Sequence, residues 1–362
     1  MTDFYEIDFL DVETKKSGDA IPLRYQVGGT TRIHVVDGGF QETGDSIVAH
    51  INKYYGNPHR IDAVIVTHGD ADHTGGLRKV LETYNIGELW MLRPWLYANE
   101  LLGRFSRYTS VTNLVDRLKE AYSSLSALEE LAISKGIPIK EPFQGAIIGH
   151  FTVMAPTKAR YLDLVVESDK TPTPAAGATG SAAQNFAALI EQFARKAIAY
   201  VSAAWNVEHF PEEDTSAENN MCVVQYANLC GDRILLTADA GRAALAEAAA
   251  YAPFVGLPLP GINRIQIPHH GSRHNVSTAI LDRLLGQRLA LRPVSGQENI
   301  QAIVSAAKKD EDHPRKAVIR AFIHRGSIVV STEDGDKRIS RNAPGRNWQG
   351  VPGLPYPEDQ EA

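Results

Sequence analysis

The densest chemistry in the chain is His68-Gly69-Asp70-Ala71-Asp72-His73, where four side chains able to hold a metal fall within six residues. Alternate residues of an extended turn project to one side, so His68, Asp70 and Asp72 can converge. His73 joins them if the chain bends there into a helix, and Gly75-Gly76 remove side-chain bulk at that point. A solvated polar loop rich in Asp and His would look the same locally. Two further elements weigh against that reading. Asp239 ends the apolar run Ile234-Leu235-Leu236-Thr237-Ala238, and His269-His270-Gly271-Ser272 follows Ile265-Gln266-Ile267-Pro268. Alone, Asp239 reads as a turn or cap residue, and the His pair as structural or surface. Together with the cluster they supply ligands for two divalent ions, with one carboxylate bridging. Two such ions about 3.5–4 Å apart share a hydroxide and stabilise both the attacking and the leaving oxygen of a displacement.

Those residues need strand ends to stand on, and the hydrophobic pattern predicts them. Strands are predicted over residues 4–12, 21–27 and 32–36, with Gly28-Gly29 as a hairpin signal. A helix follows over 45–55, then a short buried strand over 63–66 that runs straight into the cluster, then a helix over 77–84. A charged motif between a buried strand and a helix is where α/β proteins place their sites. Residues 95–135 read as helical, since Leu114, Leu118, Leu125, Leu128 and Ala132 keep helical spacing and Gly136 stands at a cap. A strand over 149–154 precedes a Pro-, Thr-, Ala- and Gly-rich segment, 168–183, that reads as a mobile loop, and a helix is predicted over 185–203. A hairpin over 222–229 and 233–237 turns at Gly231-Asp232 and ends at Asp239. A strand over 265–267 feeds the His pair. Helices over 277–285 and 317–324 and a strand over 327–331 complete the pattern. It amounts to two successive β-then-α blocks, which suits an α/β layered sandwich with helices outside. Residues 1–342 are read as a single domain carrying a helical insertion at 95–135 and a loop at 168–183. The Pro- and Gly-rich tail 343–362 is expected to be disordered or draped on the surface.

Composition narrows the class. A chain of 362 residues with 43% hydrophobic and 22% charged residues is ordinary for a globular protein. Its net charge of −6 gives no global basic footprint for gripping nucleic acid, although a local basic cleft stays open. Two cysteines, Cys222 and Cys230, cannot build a disulfide framework, and they read as small core residues in a reducing compartment. The acidic start and the lack of an apolar run of about 18–20 residues lead to the expectation of a cytoplasmic protein with no membrane partner.

The motifs FLDV, SGDAI, VVDGG, THGDADHTGG, ENNMCVV, ILLTADAG, IPHHGS and DHP occur in this order from residue 9 to residue 314. In that order they resemble a metallo-β-lactamase-fold hydrolase, and most closely the soluble catalytic domain of ComEC-type DNA-uptake proteins. The resemblance implies an αββα sandwich of two mixed sheets between outer helices. It implies that His68 and Asp70 hold one metal, that Asp72, His73 and His270 hold the other, and that Asp239 bridges. Asp37 would orient the metal loop from behind, as outer hydrogen-bond partners do. His270 is preferred as ligand, leaving His269 to contact substrate or to support a ligand from behind. Asn219 and Asn220 occupy the segment where many relatives carry a third His for the first metal; Asn220 is read as a weak oxygen ligand, a phosphate contact or a plain turn residue. His313, in Asp312-His313-Pro314, is implied as a proton donor or phosphate contact. Ser272, Arg273 and Lys308 are candidates for gripping phosphate or stabilising charge. Asp72, His269 and His313 form the implied catalytic group. The chain departs from the pattern at three places: Asp70 replaces a His, the glycine-glutamine link after FLDV is missing, and Met221 stands where Ser is common.

Carboxylates and imidazoles without cysteine make a hard site. Exchanging His for Asp70 favours Mn²⁺, Mg²⁺ or Fe²⁺ more than an all-His site would, while Zn²⁺ still competes. The expectation is two divalent ions, Zn²⁺ or Mn²⁺, whose hydroxide attacks a phosphodiester of DNA. Two other classes stay open at this point: a hydrolase of nucleotides or other small phosphoesters or amides, and a non-catalytic metal-binding subunit of a complex. A nucleic acid or nucleotide is the expected partner, and a protein partner is left undetermined.

Overall fold

The computed structural model describes residues 2–12, 15–105, 108–171, 200–294 and 296–361. Its strands are β1 (Phe4–Phe9), β2 (Ala20–Val27), β3 (Thr30–Gly38), β4 (Arg60–Ile65), β5 (Asn85–Trp90), β6 (Ile139–Lys140), β7 (Ile147–Ile148), β8 (Phe151–Ala155), β9 (Tyr200–Ser202), β10 (Val224–Leu229), β11 (Asp232–Leu236), β12 (Arg264–Gln266), β13 (Ile300–Val304), β14 (Ser327–Ser331), β15 (Lys337–Arg341) and β16 (Asp359–Glu361). One seven-stranded sheet runs β15-β1-β2-β3-β4-β5-β6 and a second runs β14-β13-β12-β11-β10-β8-β7, while β16 pairs with β9 apart from both. Both large sheets are mixed. β1, β2 and β3 are antiparallel and β3 to β6 parallel; β11 to β14 are parallel and β10 is antiparallel to β11 and β8.

Alternation along each strand explains the layers. Ile234 and Leu236 of β11 and Ile303 of β13 join one core cluster with Ile7, Leu23 and Val35 of the other sheet. Their neighbours Leu235, Ala302 and Val304 join a second cluster with Leu245, Leu281, Leu284 and Phe322, from helices Arg242–Tyr251, Thr278–Leu285 and Lys316–Ile323. Successive side chains of a strand point to opposite faces, so one sheet feeds both an inter-sheet core and a helix-covered face. On the other side, Ile47, Ile51, Val80 and Leu81 of helices Thr43–Tyr54 and Leu77–Thr83 pack on the first sheet. The result is the expected helix–sheet–sheet–helix sandwich.

The structure corrects several predicted elements. The stretch 95–135 is helical as expected, but in pieces: short helical turns over Pro94–Tyr97, Ala98–Leu101 and Leu102–Arg104 precede helices Val111–Ala121 and Ser123–Ser134. Most of the helix predicted over 185–203 lies outside the described residues, and Tyr200–Ser202 form β9 instead. Of the segment expected to be a mobile loop, Ser168 and Thr171 are buried, and residues 172–183 lie outside the described residues. The tail lies draped on the surface, with most of residues 343–355 exposed, but it is pinned at several points. Arg346 binds the buried Glu6 and Asp8, Tyr356 is buried, and β16 closes on β9. Among the described residues, no helix is long and apolar enough to cross a membrane.

Glu208 ties this region together and gives a pH prediction. Its carboxylate, nearly inaccessible, accepts from Thr278 Oγ1 (2.6 Å), His324 Nδ1 (2.8 Å) and Arg325 Nη1 (2.8 Å). Burial pushes its pKa up, but hydrogen bonds from His324 and Arg325 outweigh that and bring it from 4.5 down to about 2. A lowered carboxyl pKa means stability that is present above the unfolded value and lost as pH falls through the folded one. The stability gap between wild type and Glu208→Gln should therefore narrow by up to about 3 kcal/mol as pH drops from about 4.5 toward 2. Urea midpoints at each pH measure this, and a gap that stays constant contradicts it.

Candidate metal centre

Four parallel-strand ends build the site. β3 carries Asp37 just before its last residue, Gly38, β4 leads through Val66 and Thr67 to His68, β11 leads to Asp239, and β12 leads to His269 and His270. Carboxyl ends of strands are where open α/β sheets gather their functional loops. Gly75 and Gly76 do not act by bending the chain, since their φ angles (−57° and −80°) are helical. They act by close approach: a Cβ on Gly75 would lie 2.6 Å from Gln41 N. The insertion rests on the metal loop, with Ser124 Oγ donating to Gly69 O (2.8 Å) and Leu125 3.2 Å from where a Cβ on Gly69 would sit.

Asp37 organises the loop from beneath. Fully buried and left-handed (φ 56°), it accepts from Thr67 N (2.9 Å), Thr67 Oγ1 (2.6 Å) and His73 Nδ1 (2.8 Å). Because Thr67 gives its proton to Asp37, its oxygen is left to accept from His68 Nδ1 (3.1 Å). His270 Nδ1 donates to Ser305 O (2.9 Å). All three imidazoles therefore spend Nδ1–H on the protein and turn Nε2 inward as the ligand position. His68, His73 and His270 Nε2 and Asp239 Oδ1 are buried without a hydrogen-bond partner among the described residues. Each such orphan costs about 1–3 kcal/mol, which a shared cation offsets. The donor set fits a divalent metal.

Asp239 stands at the centre. Its Oδ1 faces His73 Nε2 (3.3 Å) and His270 Nε2 (3.7 Å), and its Oδ2 faces His269 Nε2 (3.6 Å) and His68 Nε2 (3.9 Å). Asp72 Oδ2 lies 3.6 Å from His270 Nε2 and 3.8 Å from His73 Nε2, and Asp70 Oδ2 lies 3.5 Å from His68 Nε2. Asp72, His73, Asp239 and His270 each offer a ligand atom within 4.8 Å of the others. Asp19, Asp37 and His73 also meet that condition, but on the inner side, where Asp37 is already engaged and Asp19 Oδ2 accepts from Gln266 (2.8 Å). Negative charge is in surplus here. Burial opposes a charged His73, yet Asp239, Asp37 and Asp72 outweigh it and hold its pKa well above the ordinary range.

The remaining candidates divide. His313 lies near His269, with the rings tilted and 5.7 Å between their centres, and gives Nδ1 to Asp310 Oδ2 (3.2 Å). Asn219 reaches His269 Nδ1 (3.0 Å). Asn220 faces elsewhere: its oxygen accepts from Ala244 N (3.1 Å) at the start of a helix, and its nitrogen donates to Asp214 and Ser216. Ser272 Oγ accepts from His274 N (3.4 Å), and Arg273 is half-buried beside the charges of Glu361 and Arg315. Lys308 is exposed and paired with Asp334 (3.3 Å), and no described hydrogen bond joins it to the cluster. Sequence reasoning missed Lys170, whose ammonium binds Asp70 Oδ1 while Asp70 Oδ2 faces His68. It also left Asp19 without a role, although Asp19 lies in the SGDAI motif. Nothing in a loop-like composition marks Lys170.

Asp37→Ala tests the outer support. It leaves the Thr67 and His73 donors without an acceptor, and metal affinity should fall roughly 10–100-fold. Competition with a chelator measures this; unchanged affinity would show that His73 is oriented by other contacts.

Residues 25–131, which include Asp37 and the 68–73 cluster, match the family model described as the metallo-beta-lactamase superfamily. The two mixed sheets with flanking helices are consistent with that superfamily's sandwich fold. No curated protein matches. Among solved structures, the chain is similar to Rm3 metallo-beta-lactamase at 11% identity, covering 74% of this chain and 78% of that one, with a TM-score of 0.30. A metallo beta lactamase from Hirschia baltica is 13% identical over 69% of this chain and 82% of that one, with a TM-score of 0.28. AidC, a dizinc quorum-quenching lactonase, is 10% identical over 61% of this chain and 56% of that one, with a TM-score of 0.28. Likeness this remote bears on neither substrate nor metal.

Proposed function

We propose that the chain is a metal-dependent hydrolase that cleaves phosphodiesters, with DNA as its substrate class. The observation that carries the reading is Asp239, which offers each of its two oxygens to a separate pair of imidazoles. His68 and Asp70 on one side, and Asp72, His73 and His270 on the other, would hold two divalent cations about that carboxylate. Such a pair supplies Lewis acidity, lowers the pKa of water and steadies the attacking and leaving oxygens. Asp70 in place of an imidazole favours Mn²⁺ at the first position, with Zn²⁺ competing.

The chain's own groups do the rest. Lys170 holds Asp70 through one carboxylate oxygen and brings a cation to the partly open rim, which suits an anionic ester. His313, held by Asp310, stands beside His269 to hand a proton to the leaving oxygen. The motif order supports DNA over other phosphodiesters. Purified protein with linear and single-stranded DNA, in Mn²⁺ and separately in Zn²⁺, tests the reading against Asp72→Ala. Metal-dependent cutting that the variant lacks is expected. A folded, metal-loaded protein that cuts in neither metal would contradict it and shift attention to small-molecule esters.

A further inference from the structure

We infer that the adjacent His269 and His270 serve different metals: His269 completes the first site with His68, Asp70 and Asp239 Oδ2, and His270 completes the second with Asp72, His73 and Asp239 Oδ1. This rests on the dinuclear reading above and departs from it in taking His269 away from substrate contact. Consecutive residues of an extended chain point to opposite sides and could not both reach one carboxylate. Here both residues are left-handed, with φ of 47° and 52°, and both turn Nε2 to Asp239. Non-glycine residues in that region are strained, and the strain persists only where surrounding structure enforces it.

Asn275 supplies that enforcement at His269. It is fully buried, and its amide nitrogen donates to Asp239 O (2.8 Å) and Ala240 O (3.3 Å). Its oxygen is thereby turned to His269 Nδ1 (2.9 Å). Nδ1 must carry the proton, and Nε2 presents a bare lone pair 3.6 Å from Asp239 Oδ2. Asn219 also touches Nδ1 (3.0 Å), but with Thr215 Oγ1 as its other neighbour (2.7 Å) either end of its amide fits, so Asn275 decides the tautomer. His269 thus has the arrangement of His68, His73 and His270: Nδ1–H spent on the protein, Nε2 aimed at Asp239. Each cation receives two imidazoles, one aspartate of its own and one oxygen of Asp239.

The test counts imidazoles on the metals in the wild-type protein. Loaded with Co²⁺ and observed by proton NMR in water, each imidazole bound through Nε2 contributes one strongly shifted, exchangeable Nδ1–H signal. With two Co²⁺ bound, four signals are expected, from His68, His73, His269 and His270. Three signals with two Co²⁺ bound overturn the inference and leave the dinuclear reading standing. Fewer than two Co²⁺ per chain overturns that reading and the inference with it. His269→Asn should lose one signal and weaken one Co²⁺ equivalent by more than the roughly 10–100-fold that an outer partner costs. His270→Asn should weaken the other equivalent. Undiminished binding of both equivalents by folded His269→Asn also overturns the inference.

Discussion

Asp239→Asn should abolish binding of both cations, not one, and lower phosphodiester cleavage by roughly 10³-fold or more, a barrier increase of about 4 kcal/mol. The reason is geometric. Oδ1 serves His73 and His270, Oδ2 serves His68 and His269, and a neutral amide offers one oxygen where two anionic ones stood. The fold should survive the change. An amide nitrogen at that position can donate to imidazole nitrogens that are otherwise orphaned, and one buried charge disappears. Thermal unfolding separates the two effects. Wild type should gain stability as metal is added, about 2.7 kcal/mol at 100 times Kd, and the variant should gain none. A variant that keeps one tight equivalent would show that Asp239 belongs to a single site.

The second large effect lies far from the metals. Arg346 places Nη2 2.7 Å from Glu6 Oε2 and 2.8 Å from Asp8 Oδ2, and both carboxylates are wholly buried. Burial works against the Asp8 charge, but hydrogen bonds from His50 and Arg346 hold its pKa below the ordinary range. Removing one partner of a buried ion pair leaves the other charge uncompensated, which costs about 3–5 kcal/mol. Arg24 and Arg338 still reach Glu6, and Tyr55 and His50 still reach Asp8, so Arg346→Met should fall at the lower end, about 3 kcal/mol. Urea unfolding reads this directly. A loss under about 1 kcal/mol would mean that the segment after Ala343 lies on the molecule without bracing it.

Much of the site is legible in the amino-acid sequence. The ligand types are close together at 68–73, they stand at the ends of apolar runs, and their strand-then-helix context is regular enough to imply a sandwich. What is not legible depends on long-range contact. Asn85-Ile86-Gly87-Glu88-Leu89-Trp90 has no clean alternation, and it becomes β5 because β4 and β6 flank it in the sheet. Arg346 sits in a Pro- and Gly-rich stretch typical of loops, and only β1, far away in sequence, shows it two carboxylates. Lys170 lies in a segment of loop composition and gains meaning only beside Asp70. The His269-His270 pair is legible as a motif, but two left-handed residues in succession are not, and that conformation sends both rings to Asp239.

Every functional expectation above depends on Asp239 standing between two cations. The most direct test is an anomalous difference map from crystals grown with Mn²⁺, recorded where manganese scatters anomalously. Two peaks about 3.5–4 Å apart are expected, one on each side of the Asp239 carboxylate. The first should lie within reach of His68, Asp70 and His269, and the second within reach of Asp72, His73 and His270. A single peak under saturating Mn²⁺, or two peaks that Asp239 does not join, would contradict that placement.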